Sequence, residues 1–109
     1  MVAAGSGRET AAALRHTVMF RWKPDTTPEQ VAAIEEGLAA LPGEIDTVRA
    51  FRFGGDAGLN EGNFDFAVSA DFDDRDGYLV YRDHPAHMAV VVDRIRPQIA
   101  ERAAVQFEH

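Results

Sequence analysis

The side chains able to do chemistry are few in this chain of 109 residues, and most gather in one segment, Tyr81-Arg-Asp-His-Pro-Ala-His87. A neutral imidazole near pH 7 can take a proton from carbon beside a carbonyl, which makes His87 a candidate general base. A phenol can donate its hydroxyl to a developing enolate or thioester oxygen, the role open to Tyr81. Helical spacing does not put residues six apart on one side, so the pair meets only if the break at Pro85 redirects the chain. A buried Tyr–His hydrogen bond fastening two helical segments would use the same residues. His84 precedes a proline and is biased to extended backbone, suited to capping the helix that follows or holding the turn. His84, His87 and Asp83 together suggest a metal, but a further ligand is lacking and Pro85 separates the rings. No metal site and no cofactor are expected.

These residues need a scaffold, and the rest of the chain supplies the pattern for one. His16-Thr-Val-Met-Phe-Arg-Trp22 alternates as a strand, with His16, Val18, Phe20 and Trp22 on one face. On that face His16 either lines a pocket beneath helices or is a hydrogen-bonded core histidine. Thr27, Pro28 and Gln30 make a capping box. The helix it opens carries Val31, Ile34, Leu38 and Leu41 as one apolar stripe and ends at Pro42-Gly43. A second strand runs over Val48–Phe53, with Val48, Ala50 and Arg52 on one face and Arg49, Phe51 and Phe53 on the other. A glycine-rich loop follows, then a third strand over Phe64–Phe72. There Phe64, Phe66, Val68, Ala70 and Phe72 alternate with Asp65, Ala67, Ser69 and Asp71. If the aspartate face is covered, Asp65 needs a cationic partner such as Arg21, Arg49 or Arg52.

Asp73-Asp74-Arg75-Asp76 suits a helix N-terminus. The helix breaks at Asp83-His84-Pro85, resumes through Val92 and weakens toward Ile95 and Pro97. A last strand spans Ile99–Phe107, although Ala-Glu-Arg-Ala-Ala within it also suits a helix. The order strand, helix, strand, strand, helix, strand is the split βαβ, ferredoxin-like arrangement: α+β, with a four-stranded antiparallel sheet and helices on one face. The other face needs a cover, and a second copy of the chain is the simplest one. Residues 1–13, small and polar, read as a mobile tail, and 14–109 as one domain.

Composition narrows the function classes. There is no cysteine, so disulfides, thiolate catalysis and cysteine-ligated metals are excluded, in keeping with a reducing, cytoplasmic setting. The formal net charge of −7 and dispersed arginines oppose nucleic acid and anionic lipid as partners. No apolar run is long enough to span a membrane, and the N-terminus does not read as a signal peptide.

The Tyr81-Arg-Asp-His-Pro-Ala-His87 segment resembles the signature of the stress-responsive dimeric A/B barrel (Dabb) family, a Tyr followed by His-Pro-x-His before the second helix. His16–Lys23 is similar to the family's opening strand, Gly54-Gly55 with Asn60 to its glycine loop, and Asp65–Phe72 to its third strand. The resemblance covers about Leu14 to Phe107 and implies a homodimeric α+β barrel. It extends to plant polyketide cyclases of the olivetolic acid cyclase type, which close a linear poly-β-keto thioester by intramolecular aldol condensation.

By that resemblance His87 is the base, Tyr81 orients or polarises the substrate, and His16 belongs to the pocket. Phe66 stands where the cyclase has a further histidine, and Ile34 and Leu38 stand where its first helix lines an apolar tunnel, so the cyclase's substrate does not transfer. The resemblance thus implies catalysis by His87 and Tyr81 on a small carbonyl-containing, polyketide-like molecule, with His16, Phe66 and His84 lining its site. The reaction would be that of a cofactor-independent cyclase, lyase or isomerase. Two other readings stand beside it: a non-catalytic stress-associated dimer, and a cofactor-free monooxygenase, to which the single Trp and the histidine placement lend nothing particular.

Overall fold

The structure, a computed structural model, describes residues 12–109, so most of the expected tail lies outside the described residues. Its elements are β1 (Leu14–Trp22), α1 (Pro28–Glu44), β2 (Val48–Gly55), β3 (Phe66–Phe72), α2 (Arg75–Asp83), α3 (Pro85–Val90) and β4 (Ile99–Glu108). The four strands form one antiparallel sheet in the order β2-β3-β1-β4. Two short irregular turns, a π-helical one over Val91–Ile95 and a 3-10 one over Arg96–Gln98, join α3 to β4.

The period of two decides which face the helices cover. Leu14, His16, Val18 and Phe20 of β1 are buried, and their register partners Phe72, Ala70, Val68 and Phe66 of β3 are buried beside them. Against these, α1 places Ile34, Leu38 and Leu41, each at most 2% exposed. Its N-terminus is closed by the expected capping box: Thr27 N–H donates to Gln30 Oε1 at 2.8 Å, and Gln30 N–H to Thr27 Oγ1 at 3.2 Å. The helix runs two residues past Pro42, because in the last turn the missing proline N–H costs only one bond; Ile45 N–H then closes the end on the Leu41 carbonyl. Gly37 lets α1 approach the C-terminal helical segment closely, since a Cβ there would sit 3.1 Å from a Val90 methyl and 3.3 Å from Arg94 Cδ.

Three local expectations are corrected. In β2 a register shift between Val48 and Ala50 breaks the alternation, so Val48 joins Phe51 and Phe53 against the core. The third strand begins at Phe66, not Phe64, whose ring instead lies under the Arg21 guanidinium at 4.4 Å. Asp65 has no arginine partner among the described residues; its carboxylate accepts the Trp22 backbone N–H at 2.9 Å. The bidentate pair on that face is Arg15–Asp71 (2.7 and 2.9 Å), which holds the Asp71 carboxyl below its ordinary range.

Among the described residues the opposite sheet face carries no helix. Register puts Thr17 and Met19 of β1 beside Ser69 and Ala67 of β3 and Val105 and Ala103 of β4. Met19, Val105 and Phe107 remain 39–56% exposed there.

Candidate functional site

The sequence sets α2 and α3 apart with one residue. His84 has φ −66° and ψ 135°, extended as a residue before proline prefers, and ends α2 while beginning α3. Its Nδ1 accepts the Ala86 backbone N–H at 3.0 Å, a side-chain N-cap. In an unbroken helix that N–H would have bonded to the Arg82 carbonyl. Freed by the break, the Arg82 carbonyl accepts instead from the His87 ring, at 3.0 Å from Nδ1. The proline turn thereby brings the His87 ring to 4.2 Å from the Tyr81 ring, at an interplanar angle of 35°. No Tyr–His hydrogen bond fastens the two helices; the contact between them is ring on ring.

That bond fixes a protonation pattern. A carbonyl only accepts, so His87 Nδ1 carries the proton and the neutral ring keeps its lone pair on Nε2. Burial lowers the His87 pKa from its ordinary 6.5, against the smaller raising effects of the Arg82 carbonyl and Asp83, so the ring is a neutral base at pH 7. His16, 5% exposed, has the opposite polarity: the Gln106 Nε2 amide donates to its Nδ1 at 2.8 Å, leaving the ring proton on Nε2 as a donor. Burial, with the nearby Arg102 and His87, pushes the His16 pKa down to about 4. Tyr81 is 2% exposed, and burial chiefly, with Tyr78 beside it, pushes its phenol up, so it stays protonated. Among the described residues its hydroxyl has no hydrogen-bond partner.

These three side chains line one cavity of about 310 Å³ between strands β1, β3 and β4 and the helical segments above them. Val18, Leu38, Val91 and Ile95 supply apolar wall, and Arg82, Arg96 and Arg102 the cationic part. Two of the wall residues belong to the π-helical turn, an irregularity that recurs at functional sites because it re-aims side chains within a helix.

The structure therefore brings together His16, Tyr81 and His87 and leaves out the other two candidates. His84 is spent on the cap of α3 and is not in the cavity wall. Phe66 is likewise outside it, 2% exposed and stacked on Phe53 at 6.2 Å, in an aromatic cluster with Trp22. Val68, two residues along the same inward face of β3, does line the cavity, whereas Phe66 lies beyond its wall, packed against Phe53 and Trp22. Tyr78, 5.1 Å from His16 ring to ring, and Arg102 were missed. Arg102 was legible only through strand register, which pairs it with Phe20 on the inner face. Among the described residues no three His, Cys, Asp or Glu side chains are grouped as metal ligands, and no helix is long and apolar enough to cross a membrane.

A four-stranded antiparallel sheet in this order, with helices on one face and a cavity between, defines a ferredoxin-like α+β protein. The profile of the Stress responsive A/B Barrel Domain (Dabb) family matches residues 14–109, and the chain belongs to that family. A stress-response A/B barrel domain-containing protein of Arabidopsis thaliana is 33% identical over 91 aligned positions, covering 74% of this chain and 78% of the relative. A crystal structure of a dimeric ferredoxin-like protein from Thermobifida fusca superposes with a TM-score of 0.85 at 43% identity, over 91% of this chain and 92% of that one. The hydroxynitrile lyase of Passiflora edulis shares the fold, with a TM-score of 0.80 at 17% identity over 90% and 94% of the two chains.

Proposed function

We propose that the cavity binds a small carbonyl compound and that His87 removes a proton from the carbon beside the carbonyl. The observation that carries this reading is the His87–Arg82 bond, which leaves the lone pair on Nε2 of a neutral ring standing 4.2 Å from Tyr81 in the cavity wall. The C–H bond breaks, its electron pair moves into the enolate, and the proton passes to His87 Nε2. The Tyr81 hydroxyl and His16 Nε2–H are the donors available to the enolate oxygen. Return of the proton to another carbon completes an isomerisation; in a cyclisation the enolate carbon attacks a second carbonyl of the same molecule, the C=O π bond breaks as the C–C bond forms, and the resulting alkoxide takes the proton back from His87. Neither outcome requires a cofactor. A polyketide-like substrate fits the apolar wall, and kinship with the plant polyketide cyclases belongs to this proposal.

Homodimerisation through the bare sheet face, in a cytoplasmic setting, is the second part of the proposal. It is supported by the exposed Met19, Val105 and Phe107 on that face and by the dimeric description of the Thermobifida fusca structure.

The test is α-proton exchange. A stable aryl ketone is incubated with the protein in D2O and the loss of its α-proton signal is followed by NMR. Catalysed exchange that disappears in His87→Ala, with the dimer and melting temperature retained, supports the reading. A His87→Ala protein that fails to fold or pair, or a wild type that neither binds nor exchanges any ketone, returns the motif to a structural role.

A further inference from the structure

We infer that the compound taken by this cavity is a carbonyl acid, whose carboxylate is held at the mouth by Arg96 and Arg102 while its apolar body enters beneath α2 and α3. This rests on the carbonyl-binding reading above and adds a specificity element to it. The chain has 18 acidic side chains against 11 basic ones, so carboxylate partners are plentiful for its cations. Arg15, Arg21, Arg49, Arg75, Arg82 and Arg94 each meet a carboxylate at 3.4 Å or less. Among the described residues Arg52, Arg96 and Arg102 have none, and the last two line the same cavity.

Both reach the cavity for reasons of local structure. Strand register turns Arg102 inward with Phe20 and sends its neighbours Glu101 and Ala103 to the bare face, where Glu101 faces Arg21. Arg96 opens the 3-10 turn that carries the chain from the π-helical wall to β4. The third cavity arginine, Arg82, is already paired with both Asp83 oxygens, at 2.9 and 3.1 Å. The wall behind them is mostly aliphatic and aromatic. A cationic rim over an apolar interior complements a molecule with one anionic end, and a guanidinium's planar fork matches a carboxylate in particular. A cavity of about 310 Å³ is at the lower end for ligand sites, which suits a compound of one ring or a short chain.

The experiment compares 4-oxo-4-phenylbutanoate with its methyl ester, binding to the intact protein being measured by calorimetry or NMR titration at pH 7. The acid is expected to bind about tenfold more tightly than the ester. That preference should shrink as salt is raised from 50 to 500 mM. In Arg96→Gln/Arg102→Gln the acid should weaken to about the affinity of the ester, so that the preference disappears. An ester bound as tightly as the acid overturns this inference and leaves the carbonyl-binding reading standing. So does an acid preference that survives in the double variant. Failure of the wild type to bind either compound at millimolar concentration overturns both readings.

Discussion

The rings of Tyr81 and His87 are 4.2 Å apart although the two residues lie six positions apart in the chain, because the chain turns at His84-Pro85 between them. The same turn frees the Arg82 carbonyl, and that carbonyl dictates which nitrogen of His87 holds the proton. One backbone break therefore sets both the position and the tautomer of the proposed base.

If His87 Nε2 is the base, its replacement should lower exchange of a ketone α-proton by about 10²- to 10⁴-fold, as for loss of a positioned general base. Tyr81→Phe, which keeps the ring and loses one donor to the enolate, should cost about 10²-fold or more. Both rates are read from the NMR exchange assay, with circular dichroism showing that the fold persists.

The rate should also depend on pH in a definite direction. Burial lowers the His87 pKa below 6.5, so the neutral ring predominates at pH 7 and protonates only on acidification. A plot of exchange rate against pH should be flat near neutrality and fall with an inflection below 6.5. An inflection above that value would contradict the burial of the ring.

Stability should fall over an acid range set by His16. Its folded pKa of about 4 lies below the ordinary 6.5, so the unfolded chain binds more protons between the two. The contribution is complete above pH 6.5 and is lost as pH falls toward 4, by up to about 3 kcal/mol. Urea unfolding at pH 7.5 and 4.5 measures the loss, and His16→Gln should flatten it. The Asp71 carboxyl, depressed by Arg15, gives way in the same direction at lower pH, below its ordinary 3.8.

Removing the cap tests the turn itself. His84→Ala leaves the Ala86 N–H without its side-chain acceptor and should destabilise the protein by about 1 kcal/mol, seen as a lower urea midpoint at unchanged slope. An unchanged midpoint would mean that Pro85 alone defines the start of α3.

The bare sheet face makes a prediction about assembly. The wild type should scatter light as a dimer at micromolar concentration, and Val105→Glu, which places a charge among Met19, Thr17 and Ala103, should scatter as a monomer. A monomeric wild type would remove the second part of the proposed function.

The sequence by itself determined the order of elements, the alternation that buries one face of β1 and β3, the cap of α1 and the break at Pro85. These are local matters, decided by side-chain periodicity, φ restriction and capping within a few residues. The family followed from the same short motifs. What only the tertiary structure decided is which of the inward residues share a cavity. His16, Tyr81 and His87 are brought together by sheet order and helix docking, whereas Phe66, on the same sheet face as His16, is packed against Phe53 and Trp22 outside the cavity wall. The partners of Asp65 and Asp71 and the inward turn of Arg102 depend on cross-strand register, and no pattern read along one strand contains the register of the next.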